Sequence, residues 1–532
     1  MSFQGVRFVA RETSSNDIEM VKKAGFHWDG SIRAYWTSIA YLAASFKQYA
    51  DASAQVRIGY DDSQIALSHA LGSTLRIPVP DGLCYLPFQT VAAEYAIQRK
   101  DTLIADPPGA GKSIEAISII NFLPEIKKIL IICPASLRIN WSRELMRWLT
   151  KELTGGFALG GQFPDTNIII TNYEQVKAFR KRIDKEKWDL VIFDESHMCK
   201  NPKSQRTRAS LGWVSETGKT HIPPIDAGMR LFLTGTPILN RPVELWPMLR
   251  IADPDGLGAN QLQFEKHYCA AWDAPWGYDA TGVSKRHLED LQKRLRSKLM
   301  IRRSKELILP QLPPKRRQII TLPAEAARQA IQAELDYYER NQTVVEEATK
   351  NAAAEIDYQQ AADQLTEGKA AQLWEMSRLR HATGQAKIPY IIEYLEQALA
   401  EREKVVVFAH HRDIIDAIVK HFKKKAVSHH GGMTNDEKQK SIDRFQGDKS
   451  VNIFVGSITM AVGYTLTAAS LVVIAELDWR SSVVLQAEDR LHRIGQMNPV
   501  QVSHLIFDNS LDSRIVFRVI EKEEIAEKAL GS

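Results

Sequence analysis

Thr102-Leu103-Ile104-Ala105 runs directly into Asp106-Pro107-Pro108-Gly109-Ala110-Gly111-Lys112-Ser113, and a helix is expected to follow. A short apolar strand, a glycine-rich turn and a helix together make a phosphate loop. Gly109 and Gly111 let backbone amides turn toward an anion with no side chain in the way, and the helix adds its amino-terminal dipole. Lys112 is suited to reach β- and γ-phosphates, and Ser113 to ligate Mg²⁺. Asp106, Gly109, Ala110, Gly111, Lys112 and Ser113 are therefore candidate nucleotide-binding residues. Asp106 stands where the usual GxxxxGK[ST] pattern has its first glycine. A chance glycine-rich turn is the competing reading, weakened by the strand before and the helix after.

Outward from this loop, short apolar runs alternate with helical segments. Strands are expected at 102–105, 129–132, 168–170, 190–193 and 231–233, apolar on both faces as buried parallel strands are. A second set is expected at 405–408, 453–455, 471–475 and 500–506. The fold class is α/β, with two doubly wound parallel-sheet lobes. Residues 322–380 are rich in Ala, Glu and Gln and read as a helical protrusion. Residues 77–82, with Pro78, Pro80 and an Asp-Gly, read as a linker. At the start, 6–10 alternates like a strand, 16–23 is helical with Gly25 to end it, and two short strands flank Asp29-Gly30. The expected units are a small α+β accessory module over 1–60, a first lobe over 83–255, helical insertions and connector over 256–380, and a second lobe over 381–532.

Composition sets loose bounds. The 532 residues suggest about three to four compact units, and 44% hydrophobic with 25% charged residues is ordinary for a globular chain. A net charge of +5 permits a nucleic-acid partner without demanding one. Cys84, Cys133, Cys199 and Cys269 lie far apart with no CxxC pair, so neither a disulfide framework nor a zinc site is expected. No apolar run is long enough to span a bilayer, and Met1-Ser2-Phe3-Gln4-Gly5 lacks the pattern of a secretory signal. The expected location is the cytoplasm, and the compact size suits a bacterial or phage-encoded protein.

Three further motifs carry chemistry. The strand at 190–193 ends in Asp194-Glu195-Ser196-His197. Ligands sit at the carboxyl ends of strands in such sheets, so both carboxylates should face the phosphate loop. Asp194 is suited to hold Mg²⁺ through its water shell, and Glu195 to orient and deprotonate water. The strand at 231–233 ends in Thr234-Gly235-Thr236-Pro237, whose hydroxyls can relay nucleotide state. Near the far end, Gln486, Arg490 and Arg493 are spaced i, i+4, i+7 and share one helix face. Two arginines aimed together need an anion, and a γ-phosphate in transfer fits that need. Taken alone, a basic solvated face is the simpler reading.

The order and spacing of these motifs resemble the Swi/Snf-related ATPases of helicase superfamily two. Leu86-Pro87-Phe88-Gln89, Asp194-Glu195-Ser196-His197, Leu233-Thr234-Gly235-Thr236-Pro237, Ile301-Arg302-Arg303-Ser304-Lys305 and His492-Arg493-Ile494-Gly495-Gln496 carry the resemblance. It implies two RecA-like lobes, ATP and Mg²⁺ as cofactors, and duplex or forked DNA as partner. It also implies that Gln89 reads adenine and that His197 couples the water-activating motif to Thr234 and Thr236. Asp194-Glu195-Ser196-His197, Arg241-Pro242-Val243-Glu244-Leu245, Ser457-Ile458-Thr459 with Gly463 and Thr465, and Ala475-Glu476-Leu477-Asp478-Trp479 are most similar to the annealing-helicase, fork-remodelling branch. Strand separation, or service as motor subunit to a nuclease or replication complex, are the rival functions. An inactive binding module is a third, opposed by the intact Lys112, Asp194, Glu195, Arg490 and Arg493.

By the same resemblance, backbone contacts to DNA are expected at Ser136, Thr171, Asn172, Tyr173, Gly432, Ser457, Gly463 and Thr465. A monomer, working with replication or repair proteins and with no membrane, is the expected form. Lys203, Arg206 and Arg208 form a basic run that reads equally as solvated surface. In the first module, Trp28, Tyr35 and Trp36 lie among His27 and Arg33 and suit stacking on unpaired bases, somewhat like the accessory domain of the annealing helicases. The competing reading makes the two tryptophans the core of a tiny domain. The pairs His410-His411 and His429-His430 read as loop and surface residues.

Overall fold

The computed structural model describes residues 2–4, 7–11, 15–23, 26–37, 43, 46–214, 221–238, 241–274, 277–279, 282–351, 367–461, 463–517 and 519. The expected helix end at Gly25, the middle of the 322–380 protrusion and the last residues of the second lobe lie outside them.

Two all-parallel sheets organise the chain. The first runs in the order Met300–Ile301, Asp101–Ile104, Ala227–Leu233, Trp188–Asp194, Ile129–Cys133, Ile168–Asn172, Gly155–Phe157. Its central strands are apolar throughout because both faces are covered. Leu103, Leu130, Val191 and Phe232 pack on one side with helices Tyr173–Ile183, Trp246–Ala252 and Leu288–Lys298. Ile104, Ile131, Ile192 and Leu233 pack on the other with Lys112–Phe122 and Arg138–Trp148. The second sheet runs Lys315–Leu322, Val500–Phe507, Leu471–Ile474, Val405–Ala409, Ile453–Ser457, Ala426–His429. It too is buried on both faces.

The expected boundaries move. Met300–Ile301 pairs with Asp101–Ile104, so the first sheet recruits a strand well past 255. Lys315–Leu322 pairs along its whole length with Val500–Phe507, so the second sheet begins within the expected connector. The helix Glu367–Glu401 then runs across the expected boundary at 380 and packs on the helix Arg328–Asn351.

The amino-terminal module is a four-stranded antiparallel sheet in the order Ser2–Gln4, Arg7–Ala10, Ala34–Thr37, His27–Asp29. Phe8, Val21, Phe26 and Tyr35 form its core. The helix Ala52–His69 crosses the expected limit at 60. Ala54 and Ile58 on its first half close the module's core, while Ser68 on its second half accepts from Arg296 of the first lobe at 3.2 Å. Among the described residues, no helix is long and apolar enough to cross a membrane.

Candidate active site

The phosphate loop leaves the strand Asp101–Ile104 and enters the helix Lys112–Phe122. Gly109 and Gly111 both adopt φ of +87°, which a side chain would strain. Lys112 Nζ donates to the carbonyls of Asp106 (3.0 Å) and Pro107 (3.4 Å), curling back over the loop. Burial lowers its pKa against the pull of Glu195 and other carboxylates.

Across from the loop, the strand Trp188–Asp194 ends in the acidic pair. Trp141 Nε1 donates to Asp194 Oδ2 at 2.8 Å, and the Glu195 backbone N–H donates to Asp194 Oδ1 at 2.9 Å. Burial and the neighbouring Glu195 push the Asp194 carboxyl up. Burial would raise Glu195 as well, but His197, Lys112 and Arg490 outweigh it and hold that carboxyl low. Glu195 sits at φ +49°, a strained conformation outside glycine. Its carboxylate lies 3.3 Å from His197 Nδ1, which in turn lies 3.0 Å from Thr234 Oγ1, and the Thr236 N–H donates to that hydroxyl at 3.1 Å. The chain Glu195–His197–Thr234–Thr236 thus joins two strand ends.

From the second lobe, the helix Ser481–Glu488 and the turn after it bring Gln486, Arg490 and Arg493 to the same place. Arg490 Nε donates to Gln486 O (2.8 Å) and Arg493 Nε to Asp489 O (2.9 Å), so each guanidinium is held by a carbonyl one turn earlier in the chain. Burial lowers both arginine pKa values, Arg493 to about 9. The lobes meet closely. A Cβ on Gly109 would lie 2.6 Å from Arg493 Cγ and 3.2 Å from its Cα, and one on Gly463 would overlap Leu137 of the first lobe. Between them lies a cavity of about 340 Å³ lined by Lys112, Ser113, Asp194, Glu195, Gln486, Arg490 and Arg493, with Thr236 and Thr465.

Some expected site residues lie elsewhere. Asp106 is fully buried with its carboxylate on Arg303, whose N–H and Nε donate to Oδ1 at 2.9 and 3.2 Å. Arg303 also reaches Glu115 (3.2 Å). Asp106 therefore supports the loop from behind and does not line the cavity. Gln89 is buried too. Its amide donates to Ala110 O (3.2 Å) and accepts from the Leu86 N–H (3.0 Å), so the group expected to read adenine is committed within the protein. Ala110, also buried, contributes only its backbone.

The expected DNA contacts divide. Thr171 and Tyr173 are completely buried, donating to Ala158 O (3.1 Å) and Asp194 O (2.8 Å). Asn172 is buried against Glu174 and Arg138, and Ser457 against Thr459. These four side chains lie buried among protein partners. Gly463 and Thr465 line the cavity between the lobes. Gly432 is exposed and Ser136 half-buried. Arg206 pairs with Glu174 (3.3 Å) and Arg208 stacks over Trp213 (4.2 Å), so that basic run is partly spent inside.

Two other readings change. Trp28 is 56% exposed and Trp36 is half-buried under Arg7, whose guanidinium lies 4.1 Å from the ring, so neither tryptophan forms the module's core. His410 and His411 are not loose loop residues. Both backbone N–H groups donate to Glu476 (2.8 and 2.9 Å), and His411 Nδ1 lies 2.7 Å from the same carboxylate. Sequence reading missed Trp141, which follows Pro134-Ala135-Ser136-Leu137 on the helix Arg138–Trp148. It missed Asn140, Glu144 and Arg147 on that helix as cavity residues.

Comparison with known proteins adds the family. Residues 5–384 match the SNF2-related domain, and residues 386–495 match the helicase conserved C-terminal domain. The SWI/SNF-related matrix-associated actin-dependent regulator of chromatin subfamily A-like protein 1 of Xenopus laevis is 31% identical over 84% of this chain and 44% of its own length. The human DNA annealing helicase and endonuclease ZRANB3 is 29% identical over 84% of this chain and 40% of its own. The chain spans about half the length of the curated relatives it matches. A Sulfolobus solfataricus SWI2/SNF2 ATPase core in complex with dsDNA superposes with a TM-score of 0.39 at 21% identity, over 87% of this chain and 99% of that one. At that score the likeness says nothing about lobe arrangement. These curated relatives come from frogs, mammals, a fly and a worm, and several carry chromatin in their names, which overturns the expectation of a cytoplasmic bacterial or phage protein. The chain belongs to the SNF2-related family of helicase-like enzymes.

Proposed function

We propose that the protein is a DNA-dependent ATPase that translocates on double-stranded DNA, with fork remodelling or strand annealing as its output. The observation that carries this reading is one cavity holding a lysine and serine from a phosphate loop, two carboxylates from a second strand end, and two arginines from the other lobe. The annealing-helicase name of one set of relatives supports the output.

The residues fit ATP with Mg²⁺. Asp194 is held in an environment that disfavours its charge and so suits an arriving cation. Among the described residues no group of three or more His, Cys, Asp or Glu could hold a metal ion. Mg²⁺ is commonly held by one or two carboxylates together with substrate phosphates, a mode that Asp194 and Ser113 suit. In this reading Ser113 and Asp194 hold the ion, which supplies charge neutralisation at the phosphates. Lys112 takes the β- and γ-phosphates. Glu195, kept anionic by His197 and Lys112, orients the attacking water. Arg490 and Arg493 meet the charge that grows on the transferred phosphoryl group, with Gln486 beside them. The link from Glu195 through His197 to Thr234 carries nucleotide state into the first lobe. DNA engages the half-buried turn at Ser136 and the exposed loop at Gly432 through phosphates, so its affinity falls with salt.

The test is the ATPase rate against single-stranded, duplex and forked DNA, together with displacement of a third strand from a triplex. Duplex-stimulated turnover with triplex displacement is expected. Robust unwinding of a tailed duplex without annealing would replace this reading with strand separation.

A further inference from the structure

The two halves of the site are joined by a short stretch of the connector. Arg303 lies against Asp106 at the base of the phosphate loop, with neither side chain exposed. Two residues later, Lys305 Nζ lies 3.3 Å from Asp489 Oδ1. Asp489 precedes Arg490 directly, and its carbonyl accepts from Arg493 Nε. Lys315, at the far end of the same connector, reaches Asp489 (3.0 Å) and Glu488 (3.2 Å), and Arg317 reaches Glu488 (2.7 Å). His492 Nε2 lies 2.7 Å from Pro313 O.

We propose that Arg303-Ser304-Lys305 is a strap that sets the arginine pair against the phosphate loop, with Lys305 and Asp489 as positioning residues for ATP hydrolysis. The inference rests on the arginine-finger role assigned above. The loop is gripped by Arg303 and the arginine turn by Lys305, and only Ser304 separates the two grips. A displacement of the loop is therefore passed to Asp489 through one residue of chain. The Asp489 carboxylate is nearly buried and sits between two lysines, so it cannot shift without separating charge in a largely buried site. The backbone of that residue is the one from which Arg493 is aimed. Loss of Lys305 leaves Asp489 to Lys315 alone and lets the turn follow the second sheet instead of the loop.

The test measures duplex-stimulated ATP hydrolysis by the full chain carrying Lys305→Met, Lys305→Arg or Asp489→Asn. A misplacement of about 1 Å costs on the order of a hundredfold in rate. Lys305→Met should lower kcat by roughly that factor, leave KM for ATP and duplex affinity within about twofold, and be largely restored in Lys305→Arg. Unchanged kcat, an equal loss in KM and DNA affinity, or no recovery with arginine would overturn the strap. If Lys305→Met does not fold, Asp489→Asn removes the same pair from the other side and must give the same split. Arg490→Ala, assayed in parallel, separates the two ideas. Full turnover in that variant defeats the arginine assignment itself, whereas its collapse beside an active Lys305→Met defeats only the strap.

Discussion

The two sheets share a plan, yet several of their buried carboxylates stand in opposite states. In the first lobe, burial lifts Asp101, Glu115 and Asp194 above the ordinary range, even though Asp101 has Arg230 at 3.0 Å and Glu115 has Arg303 at 3.2 Å. In the second, burial pushes the same way on Glu476, Asp478 and Glu488 but loses, and each is held at about 2. Glu476 has His411 and two backbone N–H groups, Asp478 has Arg480, and Glu488 has Lys315, Arg317 and His504. The second lobe carries its own counter-charges and serves as a rigid mount for the arginines. The first leaves Asp194 under-compensated where a cation and a polyphosphate would arrive.

The sharpest way to break this contrast is at the site. Lys112→Ala and Glu195→Gln should each lower DNA-stimulated ATP hydrolysis by about 10³-fold or more while DNA binding persists. A steady-state assay with duplex DNA measures both, and retained turnover would mean the first lobe's charge imbalance has no catalytic use. Next comes Asp106, whose carboxylate lies on the buried Arg303. Asp106→Ala strands Arg303 and should cost about 3–5 kcal/mol by urea denaturation. A loss below 1 kcal/mol would show that the pair is replaceable by water.

The third effect depends on pH. Glu476 has a folded pKa depressed from 4.5 to about 2, so its contribution is fully present above 4.5 and lost as pH falls toward 2. The shift corresponds to stability on the order of 3 kcal/mol. Between pH 5 and 3 the second sheet should gain hydrogen exchange before the first, and Glu476→Gln should flatten that acid limb. Equal exchange in both sheets would erase the contrast. The smallest effect lies outside both lobes. Trp28→Ala, at an exposed ring, should change stability by less than about 0.5 kcal/mol yet reduce preference for forked over linear duplex DNA. An unchanged preference in gel-shift competition would remove the module from DNA recognition.

The central strands were legible because helices cover both faces, which makes runs such as Ile129–Cys133 uninterruptedly apolar. The edges were not. Lys315–Leu322 carries three charges and alternates in burial, so it reads as connector although it completes the second sheet. Ala52–His69 interrupts its apolar residues with Gly59 and the paired Asp61 and Asp62, and its helical role comes from two separate neighbours. At the site, the three first-lobe motifs each ended a readable strand, the arginine spacing read as one helix face, and the cavity gathered them. What spacing could not reveal was long-range pairing. Arg303 answers Asp106 across 197 residues, and His411 answers Glu476 across 65. The aspartate in a glycine position was the visible trace of the first, since a buried carboxylate needs a cation. Thr171 and Tyr173 failed as surface contacts because a strand end in a thick sheet can lie under its own helices.

Gly109 and Gly463 face each other's lobes with no side chain, and each touches what lies opposite. They set the mechanical clearance of the machine. A single methyl at either position, at φ of +87° or +86°, would act as a spacer between surfaces that must meet. If the chain translocates on DNA as proposed, Gly109→Ala or Gly463→Ala would yield a jammed motor with every catalytic side chain in place, still able to sit on DNA but never to complete a cycle. Such a chain would block its track where an empty site would merely leave it, so the smallest residues in the molecule could prove the most harmful to alter.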